Sequence, residues 1–226
     1  MKRFVCLVFL CAPLSWGVAS AQVADKANEG YKTKEGREGV AKNLADPKRD
    51  ERQRPRELVE FMNLGPGMSV ADVGTGVGYM LPFLGHAVGP NGRVFAEDIQ
   101  TDFLDKARTR VRVGNLNNVT FVLGTDRDPK LPADSMDAVL VLDVYHHFDY
   151  PETMLGHLRD SLHSDGKLYI VDYYKRPDAM PNGRAVEHIR LDEDDVIKEV
   201  EANGFKLVSQ HEHIPKSQYV AVFQKR

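Results

Sequence analysis

The sequence predicts an α/β protein: a doubly wound, mostly parallel sheet of seven strands, helices on both faces and an antiparallel hairpin near the C-terminus. Three observations lead there. From Met68 onward, short apolar runs alternate with helical patterns, as strands joined by crossover helices do. The run MDAVLVLD at 136–143 is almost continuously apolar, as befits a strand buried on both faces. The last two runs, 205–214 and 218–225, are separated by a link too short for a crossover helix, so they pair antiparallel.

Taken in order, the chain opens with a stretch that does not belong to that sheet. Lys2 and Arg3 form a positive region, Phe4 to Leu14 an apolar run, and Ala19-Ser20-Ala21 a small-residue cleavage signal. Residues 1–21 read as a secretory leader, with Gln22 as the first mature residue. The apolar run is shorter than the roughly 20 residues that cross a bilayer. No stable membrane insertion is therefore expected after cleavage, and the expected location is the bacterial periplasm. An uncleaved leader leaves a membrane-anchored or cytoplasmic protein as the alternative. Both cysteines, Cys6 and Cys11, lie in the leader, so the mature chain has no disulfide, cysteine nucleophile or thiolate metal site.

Of the 226 residues, 42% are hydrophobic and 28% charged, the composition of one soluble globular domain. Removing Lys2 and Arg3 leaves 28 basic against 33 acidic residues, a net of −5. A nucleic-acid partner would favour a basic face, and none is expected. The partner expected instead is a small-molecule substrate; the sequence leaves the oligomeric state open.

Residues 22–50 are polar, with Gly30, Gly36, Gly39 and Pro47 and no sustained period, and read as an arm or lid. A helical pattern at about 48–60 begins the main domain, 51–226, with Leu58, Val59, Phe61 and Met62 on its apolar side. Strand MSVADV (68–73) precedes helix GYMLPFLGHAV (78–88). Strand GRVFAED (92–98) precedes helix TDFLDKARTRVR (101–112), whose Phe103, Leu104, Ala107 and Val111 share one side. Strands VTFVL (119–123) and MDAVLVLD follow, then helix PETMLGHLRDSL (151–162), opened by a proline suited to a first turn. After strand GKLYIVDYY (166–174), helix DEDDVIKEVEANG (192–204) carries acids in its first turn and stops at Gly204.

Ligands in such sheets bind beyond the carboxyl ends of the strands, at a switch in strand order. The residues there are Gly74-Thr75-Gly76-Val77-Gly78, then Glu97-Asp98, Gly124-Thr125-Asp126, Asp143-Val144-Tyr145-His146-His147 and Asp172-Tyr173-Tyr174. The dinucleotide fingerprint is G-x-G-x-x-G, with a pyrophosphate on the helix N-terminus. Here the glycines alternate at 74, 76 and 78, and Tyr79 stands where the third glycine of that motif belongs. Asp72, two residues before Gly74, would repel pyrophosphate but pair with a cation. Asp98, 20 residues beyond Gly78, sits where a carboxylate accepts both hydrogen bonds of a ribose diol. A ligand with a ribose, a positive charge and no phosphate fits, and S-adenosylmethionine is such a ligand. Each position also has a plain reading. The glycines serve a tight turn, Asp98 serves as a helix cap, and Asp126 as a turn residue.

From about Asp46 onward the chain resembles the class I S-adenosylmethionine-dependent methyltransferases. VADVGTGVGYM (70–80) is similar to that family's first motif, and GRVFAEDI (92–99) to its second. LGTDRDPKLP (123–132) resembles its adenine-contacting loop, with Gly-Thr-Asp where the family usually has Gly-Asp-Ala. The resemblance implies the Rossmann-like methyltransferase fold and S-adenosylmethionine as cofactor. It implies that Asp72, Gly74, Thr75, Gly76, Gly78, Asp98, Thr125, Asp126 and Asp143 bind it, Asp98 at the ribose hydroxyls and Asp126 at the adenine. The loop after the fourth strand borders the transferred methyl group in this family, so Asp143, Tyr145, His146 and His147 are the catalytic candidates.

Methyl transfer is an in-line displacement at the sulfonium methyl, so positioning matters most. A general base is needed only when the nucleophile carries a proton; imidazole is suited to that role near neutral pH, which makes His146 and His147 the candidates. Tyr145, Tyr173 and Tyr174 either line an aromatic pocket or pack at the sheet end. His188, His211 and His213 raise the question of a metal, but no third close ligand is evident in the sequence, and none is expected. The arm and the segment 177–192 are expected to cover the substrate. Two other functions stay open: an exported cofactor-binding module without transfer, and a nicotinamide-dependent oxidoreductase.

Overall fold

Strand β1 (Ser69–Val73) lies inside the sheet, flanked by β2 (Arg93–Asp98) and β4 (Met136–Leu142), both parallel to it. The structure is a computed structural model and describes residues 22–226; the leader reading concerns residues outside that range. With β3 (Val119–Leu123), β5 (Leu162–Tyr173), β6 (Phe205–Ile214) and β7 (Gln218–Lys225), the sheet order is β3-β2-β1-β4-β5-β7-β6. β7 runs antiparallel to both its neighbours, and all other pairs are parallel. This is the predicted doubly wound sheet. Its order reverses between β1 and β4, which opens a crevice at their carboxyl ends.

Alternation along the strands splits the core. Val139 and Val141 of β4 face a layer containing α6 (Pro151–Ser161) and α8 (Glu193–Ala202), through Leu155, Leu158 and Val200. Ala138, Leu140 and Leu142 face the opposite layer, built by α3 (Pro55–Met62), α4 (Leu81–Val88) and α5 (Thr101–Val113). Among the described residues no helix is long and apolar enough to cross a membrane.

Four boundaries differ from the sequence reading. The pattern at 48–60 is two helices, α2 (Arg49–Gln53) and α3, broken at Arg54 with φ 44°. Pro55 explains the break: it removes an N–H and drives its predecessor out of the helical region, while fitting the first turn of α3. Helix α4 begins at Leu81 rather than at 78, because Gly74, Gly76 and Gly78 all have positive φ (69°, 56° and 77°) and form a turn. β5 begins at Leu162, with a register shift opposite Met136 and Ala138. The arm holds α1 (Lys34–Leu44), capped by the Thr33 hydroxyl on the Gly36 N–H at 3.0 Å. Only a narrow stripe of α1 (Val40, Ala41, Leu44) packs inward, against Val77 and Phe103, so its apolar period is short and weak in the sequence.

Candidate active site

The switch-point crevice is a cavity of about 300 Å³, roofed by the arm. That is the lower end of the range for small-molecule sites. Its floor is the turn after β1. Of the residues singled out in the sequence, Asp72, Gly74, Thr75, Gly76, Asp98, Thr125, Asp126, Asp143 and His147 line it. Gly78, Tyr145 and His146 do not.

Local hydrogen bonds build the floor. The Thr75 hydroxyl donates to Asp72 at 2.6 Å, and the Thr75 N–H to the Glu97 carbonyl at 2.8 Å. Asp98 accepts from the Gly76 N–H and from the Gln100 N–H, each at 2.8 Å, tying β2 to the glycine turn. The second bond is a turn just before α5, not a helix cap. Glu97, absent from the sequence-based candidates, accepts from the Gly74 N–H at 3.2 Å, and its buried Oε1 has no partner among the described residues. A Cβ on Gly124 would come within 1.9 Å of that oxygen, which is why the position is glycine. Gly78 acts from behind: a Cβ there would press on Leu81 and Ala107, so it lets α5 approach the turn. Thr125 spends its hydroxyl on the Asp128 N–H at 2.9 Å, and Asp126 stands exposed at the rim.

Seven acidic side chains line the cavity, Asp25, Asp72, Glu97, Asp98, Asp126, Asp143 and Asp149, against two basic ones, Lys32 and Arg49. Lys32 is paired with Asp25 at 2.6 Å. Burial pushes Asp72 and Asp98 up to about 6, and Glu97 well above the usual carboxylate range. Asp143, in left-handed conformation at φ 57°, is pushed by burial to about 7, with Arg49 pulling the other way. Such a cavity favours a cationic ligand and opposes a phosphate.

Arg49 also escaped the sequence reading. It lies 3.8 Å from Asp143 and 4.0 Å over the Tyr79 ring, held where α2 starts. The sequence signal was the run PKRDERQRPRE at 47–57, whose charges alternate in sign and read first as a solvated helix face. Gln218 of β7 donates to Asp143 and accepts from Gln53, closing a buried polar chain.

The turn after β4, Tyr145–His147, sends its side chains three ways. Tyr145 goes into the core and donates to Glu199 at 2.6 Å. His146 is buried, its Nδ1 2.7 Å from Asp172. His147 lines the cavity, its Nδ1 2.8 Å from the Asn28 Oδ1 of the arm. Burial, with His146 and His188 beside it, holds His147 well below the usual imidazole range. Tyr31 of the arm covers His147 edge-on at 4.9 Å between ring centres, and burial pushes its hydroxyl to about 12. Tyr173 and Tyr174 lie off the cavity lining; Tyr174 packs on Tyr219. His211 packs on Phe61, and His213 lies 2.9 Å from the Gln53 carbonyl, so neither meets His188. No residue of 177–192 lines the cavity.

Residues 71–170 match the family described as Methyltransferase domain. Among curated proteins, a ubiquinone/menaquinone biosynthesis C-methyltransferase of Shewanella sp. is 27% identical over 53% of this chain and 48% of its own length. A protein-L-isoaspartate O-methyltransferase of Ignicoccus hospitalis is 31% identical over 45% and 47%. The chain thus spans about half the length of the curated relatives it matches. Among solved structures, a SAM-dependent methyltransferase from Aquifex aeolicus superposes with a TM-score of 0.76 at 28% identity, covering 83% of this chain and 98% of that one. The sheet is thus the Rossmann-like methyltransferase fold, and the match and these likenesses support methyl transfer dependent on S-adenosylmethionine.

Proposed function

We propose that the protein is an S-adenosylmethionine-dependent methyltransferase acting on a small-molecule acceptor. The observation that carries the proposal is the cavity itself: seven carboxyl groups around a positive-φ glycine turn, at the switch point of the sheet. The residues fit the cofactor. Glu97 Oε1 is buried without a partner among the described residues, and Asp72 and Asp143 stand ready to offset positive charge in a site short of cations. Asp98, already fixed by two backbone N–H donors, has free acceptor capacity for ribose hydroxyls. When bound, the cofactor supplies an activated methyl group on a sulfonium.

The chain's own part is orientation and exclusion of water. Asp72 and Asp143 hold the cationic end of the ligand; Tyr31, Leu44 and Phe103 cover the cavity with apolar surface. His147 lines the same cavity as Asp143. Its depressed basicity suits orienting an acceptor rather than removing a tightly held proton. The charge balance speaks against a nicotinamide dinucleotide, whose pyrophosphate would face these carboxylates.

Calorimetric titration with S-adenosylhomocysteine, with NADH in parallel, tests the reading. Micromolar binding of the first alone supports it; no binding by folded protein overturns it. Consumption of S-adenosylmethionine in an acceptor screen then separates transfer from binding without transfer. Export belongs to the same proposal. Fractionation of expressing cells should yield a periplasmic product beginning at Gln22, and a full-length cytoplasmic product would refute it.

A further inference from the structure

We infer that His146, His147 and His188 form a binding site for a transition-metal ion of the zinc class, at the edge of the cofactor cavity. The turn after β4 supplies the first two, and the short helix α7 (Ala185–His188) the third. One ring nitrogen from each lies within 4.8 Å of the others. The ring centres are 4.1, 5.0 and 5.4 Å apart.

Proximity alone is weak, since histidines also pack on one another. The tautomers add more. Asp172 is a carboxylate, so at 2.7 Å it accepts from His146 Nδ1–H, leaving a lone pair on Nε2. The Asp172 carboxylate is itself fixed, accepting from the His146 and Tyr173 N–H groups. Asn28 does the same for His147. Its Nδ2 donates to the His147 carbonyl at 3.0 Å and to Asp149 at 3.2 Å, so its orientation is set and Oδ1 faces His147 Nδ1. That bond requires Nδ1–H, which leaves the second Nε2 lone pair free. Metal-ligating histidines characteristically donate the other N–H to a carboxylate or carbonyl oxygen, which fixes tautomer and ring direction. Two of the three rings carry that partner here.

His188 supplies the adjustable member. It is half-buried, on a helix of four residues, and lies against both other rings. Tetrahedral zinc with Zn–N of about 2.0–2.1 Å sets nitrogens about 3.4 Å apart, so closure asks for a shift of about 1 Å. Neutral imidazole is the ligating form. With three protein nitrogens and, among the described residues, no fourth His, Cys, Asp or Glu in the group, a position is left for water or a substrate atom. His147 alone of the three lines the cavity, so the ion stands beside the space proposed for the acceptor. An ion there takes up the His147 lone pair, and an acceptor would then meet the metal rather than the ring.

The test is metal analysis and Zn²⁺ calorimetry on the purified protein, freed of any histidine tag. We expect one Zn²⁺ per chain. His188→Ala should weaken binding more than about 100-fold, and Asp172→Asn and Asn28→Ala, which disturb only the orienting partners, by about 10- to 100-fold. His211→Ala and His213→Ala should bind as the parent does. Thermal melts in chelator establish that each variant is folded; His188 and Asn28 are half-exposed, so the test survives if a change at buried Asp172 unfolds the chain. Less than one ion per folded chain, or affinity within about threefold of the parent in His188→Ala, overturns the inference. The S-adenosylhomocysteine titration reads separately, so either proposal can fail alone.

Discussion

Across the cavity, the glycine turn after β1 faces the histidine turn after β4, and the two are made differently. The glycine wall is local. Thr75 bonds to Asp72 within the turn, Glu97 and Asp98 of the next strand accept from the turn's backbone, and three positive-φ glycines hold its shape. The histidine wall is assembled from distant chain. His147 depends on Asn28 of the arm, His146 on Asp172, Asp143 on Arg49 and Gln218. A wall built from neighbours can be rigid whatever the rest of the protein does; one built from four segments reports whether the arm and the last strands are in place.

The largest expected effect falls where the walls meet. A Cβ on Gly74, at φ 69°, would sit 2.6 Å from both Val144 methyl carbons. Gly74→Ala should destabilise the fold by about 1–3 kcal/mol and abolish S-adenosylhomocysteine binding, read by melting and calorimetry. Binding within tenfold of the parent would show that the walls are not rigidly opposed. Next comes Asp98→Ala, which leaves the Gly76 and Gln100 N–H groups without their acceptor. Binding should weaken about 10- to 100-fold, on the scale of charged hydrogen bonds.

Acidity should then separate the walls. Asp143 titrates near 7 and Asp72 and Asp98 near 6, so affinity for the cationic cofactor should fall roughly tenfold between pH 8 and 5.5 as these carboxyls protonate. Asp143→Asn should remove the step near 7. Stability of the unliganded protein runs the other way. These folded carboxyls bind protons at higher pH than unfolded ones near 3.9. Their contribution is therefore fully present below about 4 and is lost as pH rises through 6 to 7. His147 and His188 oppose this: they stay neutral when folded, so acidification below about 6.5 favours the unfolded chain. Melting curves across pH 5 to 8 on the parent and Asp143→Asn would show whether the carboxyl contribution is there. The smallest effect is expected from Asn28→Ala without added metal. Methyl turnover should drop about two- to tenfold with cofactor affinity changed less than about twofold. A larger loss of affinity would make the arm part of the glycine wall.

That contrast also explains what the sequence disclosed. The succession of strands along the chain, the buried β4 run and the glycine turn are local or periodic patterns, so MDAVLVLD and the spacing of Gly74, Gly76 and Gly78 sufficed to read them. The alternatives left open for Asp98 and Asp126 concern what a single carboxylate meets, which spacing does not resolve. Arg49 was hidden in a run of alternating charge, and its direction depends on Pro55 breaking the helix after it. Asn28 and His147 are 119 residues apart and Gln218 and Asp143 75, separations no motif spans. His188 was noted beside His211 and His213, its nearer neighbours in sequence, yet its companions in space are His146 and His147. Tyr145 follows Val144 in the turn but points into the core, since the chain turns between it and the cavity.

The antiparallel strand has a consequence for how the molecule comes into being. β6 pairs with β7 alone, so β6 has no place in the sheet until the segment made after it has docked on β5. The β5–β7 pairing joins residues at least 45 apart in the chain, as Tyr173 with Gln218, so a long loop must close before its contacts count. Gln218, at the start of β7, is also the residue that holds Asp143. A chain that has not set this strand therefore lacks a finished pocket, and a ligand selecting that pocket binds completed molecules and withdraws them from the pool still folding. Occupancy of the site becomes a certificate that the β5–β7 pairing is in place.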